Sequence, residues 1–153
     1  MIESLEKVLV QHPFVEGLKP EHISLIVGCA KNVVFEPGKY LFKEGEDANS
    51  FYIIRSGKVA LEVYSPEKGS IIIQTLDEGD IIGWSWMVPP YQWKFDARAV
   101  ELTRVIELDG NCLRSKCEDD QSLGYEIMKR LANVFDNRIS AMRMQLLDLF
   151  GKS

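Results

Sequence analysis

The sequence predicts a mainly β domain, an antiparallel sandwich or barrel with flanking helices, and three features support this. Helical periodicity covers residues 1–31, and a second helical pattern covers residues 122–150. Between residues 32 and 108, short β-branched and aromatic runs alternate with turn residues. The chain has 153 residues, of which 46% are hydrophobic and 27% charged. This length and composition are typical of one globular domain.

The N-terminal segment is predicted to contain two helices. Ile2, Leu5 and Val8 share one face at helical spacing, which favours a first helix. Pro13 interrupts that pattern. Pro20 suits the first position of a second helix, because its missing N–H would have no intrahelical partner there.

The middle of the chain is predicted to consist of short strands joined by tight turns. Two stretches, Arg55–Lys58 and Pro66–Gly69, have the Gly, Ser and Pro content of hairpin connections. No long helical pattern separates the apolar runs, which favours antiparallel strands over a parallel sheet with crossover helices.

Helical character returns at Asp109, a suitable N-cap for a short helix through Cys117. A long helix from Ser122 to Phe150 is predicted next. Its apolar residues follow a nearly heptad spacing; they are Met128, Leu131, Phe135, Ile139, Met142, Leu146 and Leu149. We therefore divide the single domain into an N-terminal helical segment (1–31), a β-roll (32–108) and a hinge helix with the long helix (109–153).

The charge and composition exclude several classes of protein. The net charge of −5 does not favour binding to DNA or an anionic membrane. No apolar run is long enough for a membrane span, and the N-terminus lacks the pattern of a signal peptide. Three cysteines, Cys29, Cys112 and Cys117, suit free thiols in a reducing compartment, so we expect a cytoplasmic protein.

Four segments resemble the cyclic nucleotide-binding domain, the effector half of the catabolite activator protein family. They are Val34–Ala48 (VFEPGKYLFKEGEDA), Phe51–Leu61 (FYIIRSGKVAL), Gly79–Gly83 (GDIIG) and Val105–Asp109 (VIELD). The resemblance implies an antiparallel jelly roll (double-stranded β-helix) with N-terminal helices and a long C-terminal helix. It also implies a phosphate-binding cassette that begins at Gly83.

In this family the cassette begins Gly-Glu-Leu, and the Glu binds the ribose hydroxyl. An Arg further along pairs with the cyclic phosphate, because a buried phosphate needs a planar, bidentate cation. Here Gly83 is retained, but Trp84 stands at the Glu position and Trp93 at the Arg position. A register shifted by two residues places Phe95 there instead.

Two nearby cations are candidates to replace the missing Arg. Lys94 and Arg98 have the opposite strand parity, so both are expected to point away from the cavity unless a bulge intervenes. Leaving a buried phosphate without its partner costs about 3–5 kcal/mol. On the long helix, the resemblance places Val134 and Phe135 where the activator has hydroxyl side chains that contact the base.

Three hypotheses about this cavity stay open at the sequence level. In the first, the aromatic side chains fill the cavity and the module binds no ligand. In the second, they line a pocket for another, largely apolar effector. In the third, a rearranged cassette still binds cAMP or cGMP. The candidate pocket residues are Gly83, Trp84, Ser85, Trp86, Trp93, Lys94, Phe95, Val134 and Phe135.

The sequence does not favour an enzyme. Both histidines, His12 and His22, lie in the N-terminal segment, whereas a cupin-type metal site needs several on adjacent strands. There is no Gly-x-Ser-x-Gly elbow and no Cys-x-x-Cys pair. We expect no catalytic residues, no metal site and no certain cofactor, but a regulatory or sensory ligand-binding module with an unidentified downstream protein partner.

The long helix is expected to mediate a homodimer. Its first half should pack on the β-roll, and an apolar seam should form half of a two-fold interface. The seam residues are Leu131, Phe135, Ile139, Met142, Leu146 and Leu149. Arg138 and Arg143 flank this seam and are expected to be solvated. We expect no helix-turn-helix domain after this helix and therefore no direct DNA binding.

Overall fold

The computed structural model describes residues 5–151, which form two four-stranded antiparallel sheets with helices before and after them. The elements are α1 (Leu5–Val10), α2 (Pro20–Val27), β1 (Ala30–Phe35), β2 (Tyr40–Phe42), β3 (Ser50–Ser56), β4 (Val59–Ser65), β5 (Gly69–Leu76), β6 (Ile81–Ile82), a 3-10 helix (Ser85–Met87), β7 (Asp96–Ala99), β8 (Thr103–Asp109), α3 (Gly110–Asp119) and α4 (Gln121–Gly151).

The two sheets confirm the predicted jelly roll. Their strand orders are β1-β8-β3-β6 and β2-β7-β4-β5. Strands distant in sequence therefore pair as neighbours, and every pairing among the described strands is antiparallel. The predicted first-helix residue Ile2 lies outside the described residues. No helix in residues 5–151 combines the length and apolarity that a membrane span requires.

Strand alternation divides the apolar side chains into two cores. Phe51 and Ile53 of β3 face the helices and belong to a cluster that we call the helix-side core. Tyr52 and Ile54, the alternate residues, face into the roll and belong to a second cluster, the roll core. Because side chains of a strand point to opposite faces in turn, β3 separates the two cores.

The predicted hairpin at Pro66–Gly69 is confirmed, because β4 and β5 pair antiparallel across it. The predicted hairpin at Arg55–Lys58 is wrong, because this turn joins β3 to β4, which lie in different sheets and do not pair. Gly57 connects β3 to β4 with φ +102°, and a Cβ there would lie 2.5 Å from Oγ1 of Thr103. The predicted helix cap is confirmed. At the start of α3, the Asp109 carboxylate accepts a hydrogen bond of 3.0 Å from the backbone N–H of Cys112. The short and long helices thus begin close to the predicted positions.

The prediction of three free thiols is wrong for two of them. Cys29 and Cys112 form a disulfide across 83 residues of sequence, with their Cα atoms 5.8 Å apart. The backbone N–H of Asp109 donates to the carbonyl of Cys29 over 2.8 Å, which brings the segment after α2 next to the first turn of α3. Cys117 is a free, buried thiol.

Helix α4 corrects two further expectations. Leu131 is 0% exposed within its own chain, so it is packed in the helix-side core and does not belong to a dimer seam. Arg138, expected to be solvated, is 7% exposed and donates a hydrogen bond from Nη2 to the carbonyl of Ile81. The packing of β6 against this part of α4 covers its guanidinium, which helical spacing alone did not reveal. Beyond it, Ile139 and Leu146 are exposed.

Candidate functional site

The cassette glycine and the tryptophan at the predicted Arg position lie in direct contact. Gly83 follows β6 with φ +98°, and a Cβ built on it would lie 2.5 Å from Cη2 and 2.7 Å from Cζ3 of Trp93. Trp93 is only 3% exposed. The indole ring therefore occupies the space above Gly83, and only glycine leaves room for it.

Aromatic stacking fixes the Trp93 ring inside the roll. Its ring centroid lies 3.6 Å from that of Phe42, with the planes only 8° apart. Phe95 and Tyr52 surround the same Phe42 ring, at centroid distances of 5.7 and 6.2 Å. The backbone N–H of Trp93 also donates to the carbonyl of Glu46 over 2.9 Å. Ring packing and backbone bonding together hold the indole within the roll core.

Trp84 connects the roll to the long helix. Its ring makes edge contacts with Phe95, at a centroid distance of 6.1 Å, and with Phe135 of α4, at 5.1 Å. Val134 and Phe135 are half-buried and pack against the helix-side core. None of these side chains carries a charge or a carboxylate, so this part of the site provides neither a phosphate partner nor an acceptor for a ribose diol.

Two candidate residues lie outside this aromatic group. Trp86 is fully buried in the helix-side core, where its ring stacks on Phe51 at a centroid distance of 4.6 Å. Ser85, also buried, begins the 3-10 helix beside it. The structure thus brings Trp84, Trp93 and Phe95 together but places Trp86 on the other side of β3.

Neither candidate replacement cation faces the roll core. Lys94 is exposed. Arg98 forms a two-point contact with Glu62, in which Nη2 and Nε lie 2.8 and 3.2 Å from the same carboxylate oxygen. The hydrogen bond to Glu62 raises the pKa of Arg98, and Glu62 is itself buried. Arg98 is therefore already neutralised by a carboxylate that sequence analysis did not identify.

Arg114 of α3 holds the cassette, and sequence analysis did not identify it either. Nη1 donates to the carbonyl of Trp86, Nη2 donates to Oδ1 of Asn111, and the guanidinium lies 4.2 Å from the ring centroid of Tyr91. This cation–π contact and the hydrogen bonds tie the cassette to the hinge helix. The only sequence signal was a cation one turn into a helix that follows the last strand.

The comparisons agree with this architecture. The sequence profile described as the cyclic nucleotide-binding domain matches residues 32–120, more than half of the chain. The chain belongs to the cyclic nucleotide-binding domain family. The matched residues include Gly83, Trp84, Trp93 and the whole of α3.

Relatives and solved structures of the family cover most of the chain. A CRP-like cAMP-activated global transcriptional regulator of Mycobacterium tuberculosis is 26% identical over 145 residues, which are 95% of this chain and 63% of the regulator. A cyclic nucleotide-binding domain from Methylobacillus flagellatus superposes with a TM-score of 0.79 at 18% identity, covering 95% of this chain and 82% of that one.

A third similar protein is the regulatory subunit of a cAMP-independent protein kinase A from Trypanosoma brucei, in a mutant form bound to cAMP. It has a TM-score of 0.70 at 20% identity and covers 94% of this chain and 49% of that one. The two solved structures share the fold. The chain spans less than two thirds of the length of the mycobacterial regulator.

Proposed function

We propose that this chain is a non-enzymatic regulatory module in which aromatic side chains occupy the nucleotide position, so that it does not bind cAMP or cGMP there. The contact between the Trp93 indole and Gly83 carries this proposal. Gly83 begins the cassette, and the Trp93 ring that packs on it takes up space beside the backbone where the family's cassette begins. The tight stack on Phe42 argues equally against an apolar effector in the same place.

The energetics support a site that does not accept the nucleotide. Moving Trp93 out of the roll core forfeits its packing, and loss of a buried Trp or Phe side chain costs about 3–5 kcal/mol. The missing arginine costs the phosphate about another 3–5 kcal/mol. A micromolar ligand has only about 8 kcal/mol of binding free energy to set against this sum. A nucleotide that bound a regular cassette at micromolar concentration would therefore bind here, at best, very weakly.

The descriptions of two similar proteins differ in whether the protein depends on cAMP. The mycobacterial regulator is described as cAMP-activated, and the trypanosomal kinase subunit as cAMP-independent. The second description is a precedent for a domain of this fold that functions without cAMP. A regulatory role can therefore persist when the nucleotide position is filled.

Isothermal titration calorimetry with cAMP and cGMP tests the proposal. The unmodified chain should give no binding heat up to millimolar nucleotide. The double variant Trp84→Glu, Trp93→Arg should gain measurable cAMP affinity, because it restores a ribose acceptor and a phosphate cation. Trp86→Phe, a change in the helix-side core, is the matched control and should bind nothing. Saturable micromolar binding by the unmodified chain contradicts the proposal.

We further infer that the second half of α4 pairs with a second copy of the chain. Ile139, Met142, Leu146 and Leu149 are all exposed and follow one another at spacings close to a heptad. An isologous two-fold contact would bury such a stripe on both copies at once. Phe135, also expected in this seam, is half-buried against Trp84 and stands at its beginning.

Analytical ultracentrifugation tests the dimer. The double variant Leu146→Glu, Leu149→Glu should sediment as a monomer, because it places four carboxylates in the two-fold contact. Ser140→Glu lies on the opposite face of α4 and should leave the dimer unchanged. A monomeric unmodified chain, or a dimer that survives the seam variant, contradicts this inference.

A further inference from the structure

A cleft outside the roll lies between the N-terminal segment, the turn before β6 and the long helix. Its volume is about 670 Å³. His12 and Gly17 line one wall, Asp80 and Ile81 a second, and the face of α4 from residue 126 to residue 138 the third. Its volume falls in the range of small-molecule sites, and it does not include the aromatic group of the cassette.

A buried arginine without a carboxylate partner lines this cleft. Arg138 is 7% exposed, and its single hydrogen bond to the described residues runs from Nη2 to the carbonyl of Ile81. Its Nε is buried and has no partner among the described side chains, and no described carboxylate lies within ion-pair distance of Arg138. Burial lowers the pKa of Arg138, opposed by the more distant charge of Asp80.

The other charged groups of the cleft are already engaged. Arg130 contacts Glu126 over 2.6 Å and donates to the carbonyl of Glu16 over 2.9 Å. Lys129 lies 3.2 Å from the same Glu126. The carboxylate of Asp80 accepts from the backbone N–H of Asp77. The Glu126 carboxylate thus pairs with both Lys129 and Arg130. No described carboxylate lies within ion-pair distance of Arg138.

The histidine of the cleft is also engaged. Its Nδ1 accepts from the backbone N–H of Phe14 over 3.0 Å, so Nε2 is the nitrogen that donates to the carbonyl of Gly79 over 2.6 Å. Burial lowers the pKa of His12, which favours the neutral ring. His12 therefore adds no positive charge, and the positive excess in the cleft resides on the α4 side.

A buried guanidinium is costly unless an anion balances it, and proteins pair nearly all such groups. We propose that this cleft binds a small organic oxyanion, with a phosphate or carboxylate group paired to Arg138. The side-chain amides of Asn133 and Asn137, on the same wall, are available as further donors. A ligand here would contact α4 and the turn before β6 together, and would join the long helix to the strand that leads into the cassette.

Calorimetry with three probes tests the site: inorganic phosphate, ribose 5-phosphate and citrate, each in chloride buffer. We expect saturable binding of at least one probe at millimolar concentration or below. Comparing the probes distinguishes a phosphate from a carboxylate and a bare ion from an organic one. Arg138→Gln should weaken that binding at least about tenfold, the loss expected from removing a charge-assisted contact. Arg143→Gln, an exposed arginine of the same helix, is the matched control and should bind as the unmodified chain does.

A second measurement distinguishes the loss of a ligand contact from a packing defect caused by the Arg138 substitution. In the unmodified chain, the bound probe should shift the backbone amide resonances of Gly79 and Asn137, which lie on opposite walls of the cleft. The amide of Gly45, at a distant turn, should not move. The proposal is overturned if none of the three probes binds, if the shifts map elsewhere, or if Arg138→Gln leaves the affinity unchanged.

Discussion

Replacing Gly83 with alanine should destabilise the chain through two separable effects. The residue has φ +98°, a conformation that costs an L-residue about 1–2 kcal/mol. The new Cβ would also lie 2.5 Å from the Trp93 ring. Overpacking of a filled core typically costs about 1–3 kcal/mol more. We expect the free energy of unfolding to fall by about 2–5 kcal/mol, the sum of these two ranges.

The two effects can be measured separately by a double-mutant cycle. Trp93→Leu removes the ring from above Gly83, so the steric part of the cost should vanish in the double variant while the backbone part remains. The coupling energy should be about 1–3 kcal/mol, as for residues in direct contact. Gly38→Ala is the control, because Gly38 has φ +86° and no atom lies within 4 Å of the position that a Cβ would take there, so only the backbone cost applies.

Equilibrium unfolding in urea, followed by circular dichroism for all variants, provides the free energies. Gly83→Ala should cost clearly more than Gly38→Ala, and Trp93→Leu should relieve the difference. If the two glycine substitutions cost the same, or if the cycle shows no coupling, the indole does not occupy the space above Gly83. The inference that the nucleotide position is filled would then be refuted.

Two further predictions concern the cysteines. Reducing the Cys29–Cys112 disulfide, which spans 83 residues, should lower the free energy of unfolding by up to about 4.5 kcal/mol on the chain-entropy model. Urea unfolding with and without a dithiol measures this loss. The Cys112→Ala variant, which has no disulfide to reduce, should not respond to the dithiol. Burial raises the pKa of Cys117 from 9.0 to about 11, so the unfolded state loses the thiol proton first and stability should fall as pH rises through this interval. Cys117→Ala should show a smaller loss over the same pH range; an identical loss would contradict the assignment to this thiol.

The order of elements could be predicted because local signals determine it. The Asp109 cap, the Pro66–Gly69 hairpin and the Pro20 helix start each depend on a few neighbouring residues, and each was confirmed. Strand alternation in β3 likewise separates the residues of the two cores. Such features follow from backbone geometry and spacing, which are visible in a single sequence.

Other features depended on tertiary contacts that spacing does not reveal. Residues Ser85–Met87 form a 3-10 helix, and Trp86 within it packs in the helix-side core, whereas Trp93 packs in the roll core. The pairing of Cys29 with Cys112 required two helices to meet, and composition alone favoured free thiols. The burial of Arg138 required β6 to pack against α4.

The indole N–H resonance of Trp93, observed in a ¹⁵N-labelled sample during titration with cAMP, tests the central claim most directly. It reports on the ring that lies above Gly83, and a ligand bound in the cleft beside Arg138 would not contact it. We predict that this resonance keeps its position up to millimolar cAMP. A saturable shift of the Trp93 signal would show that the nucleotide displaces the ring, and would contradict the account of a filled site.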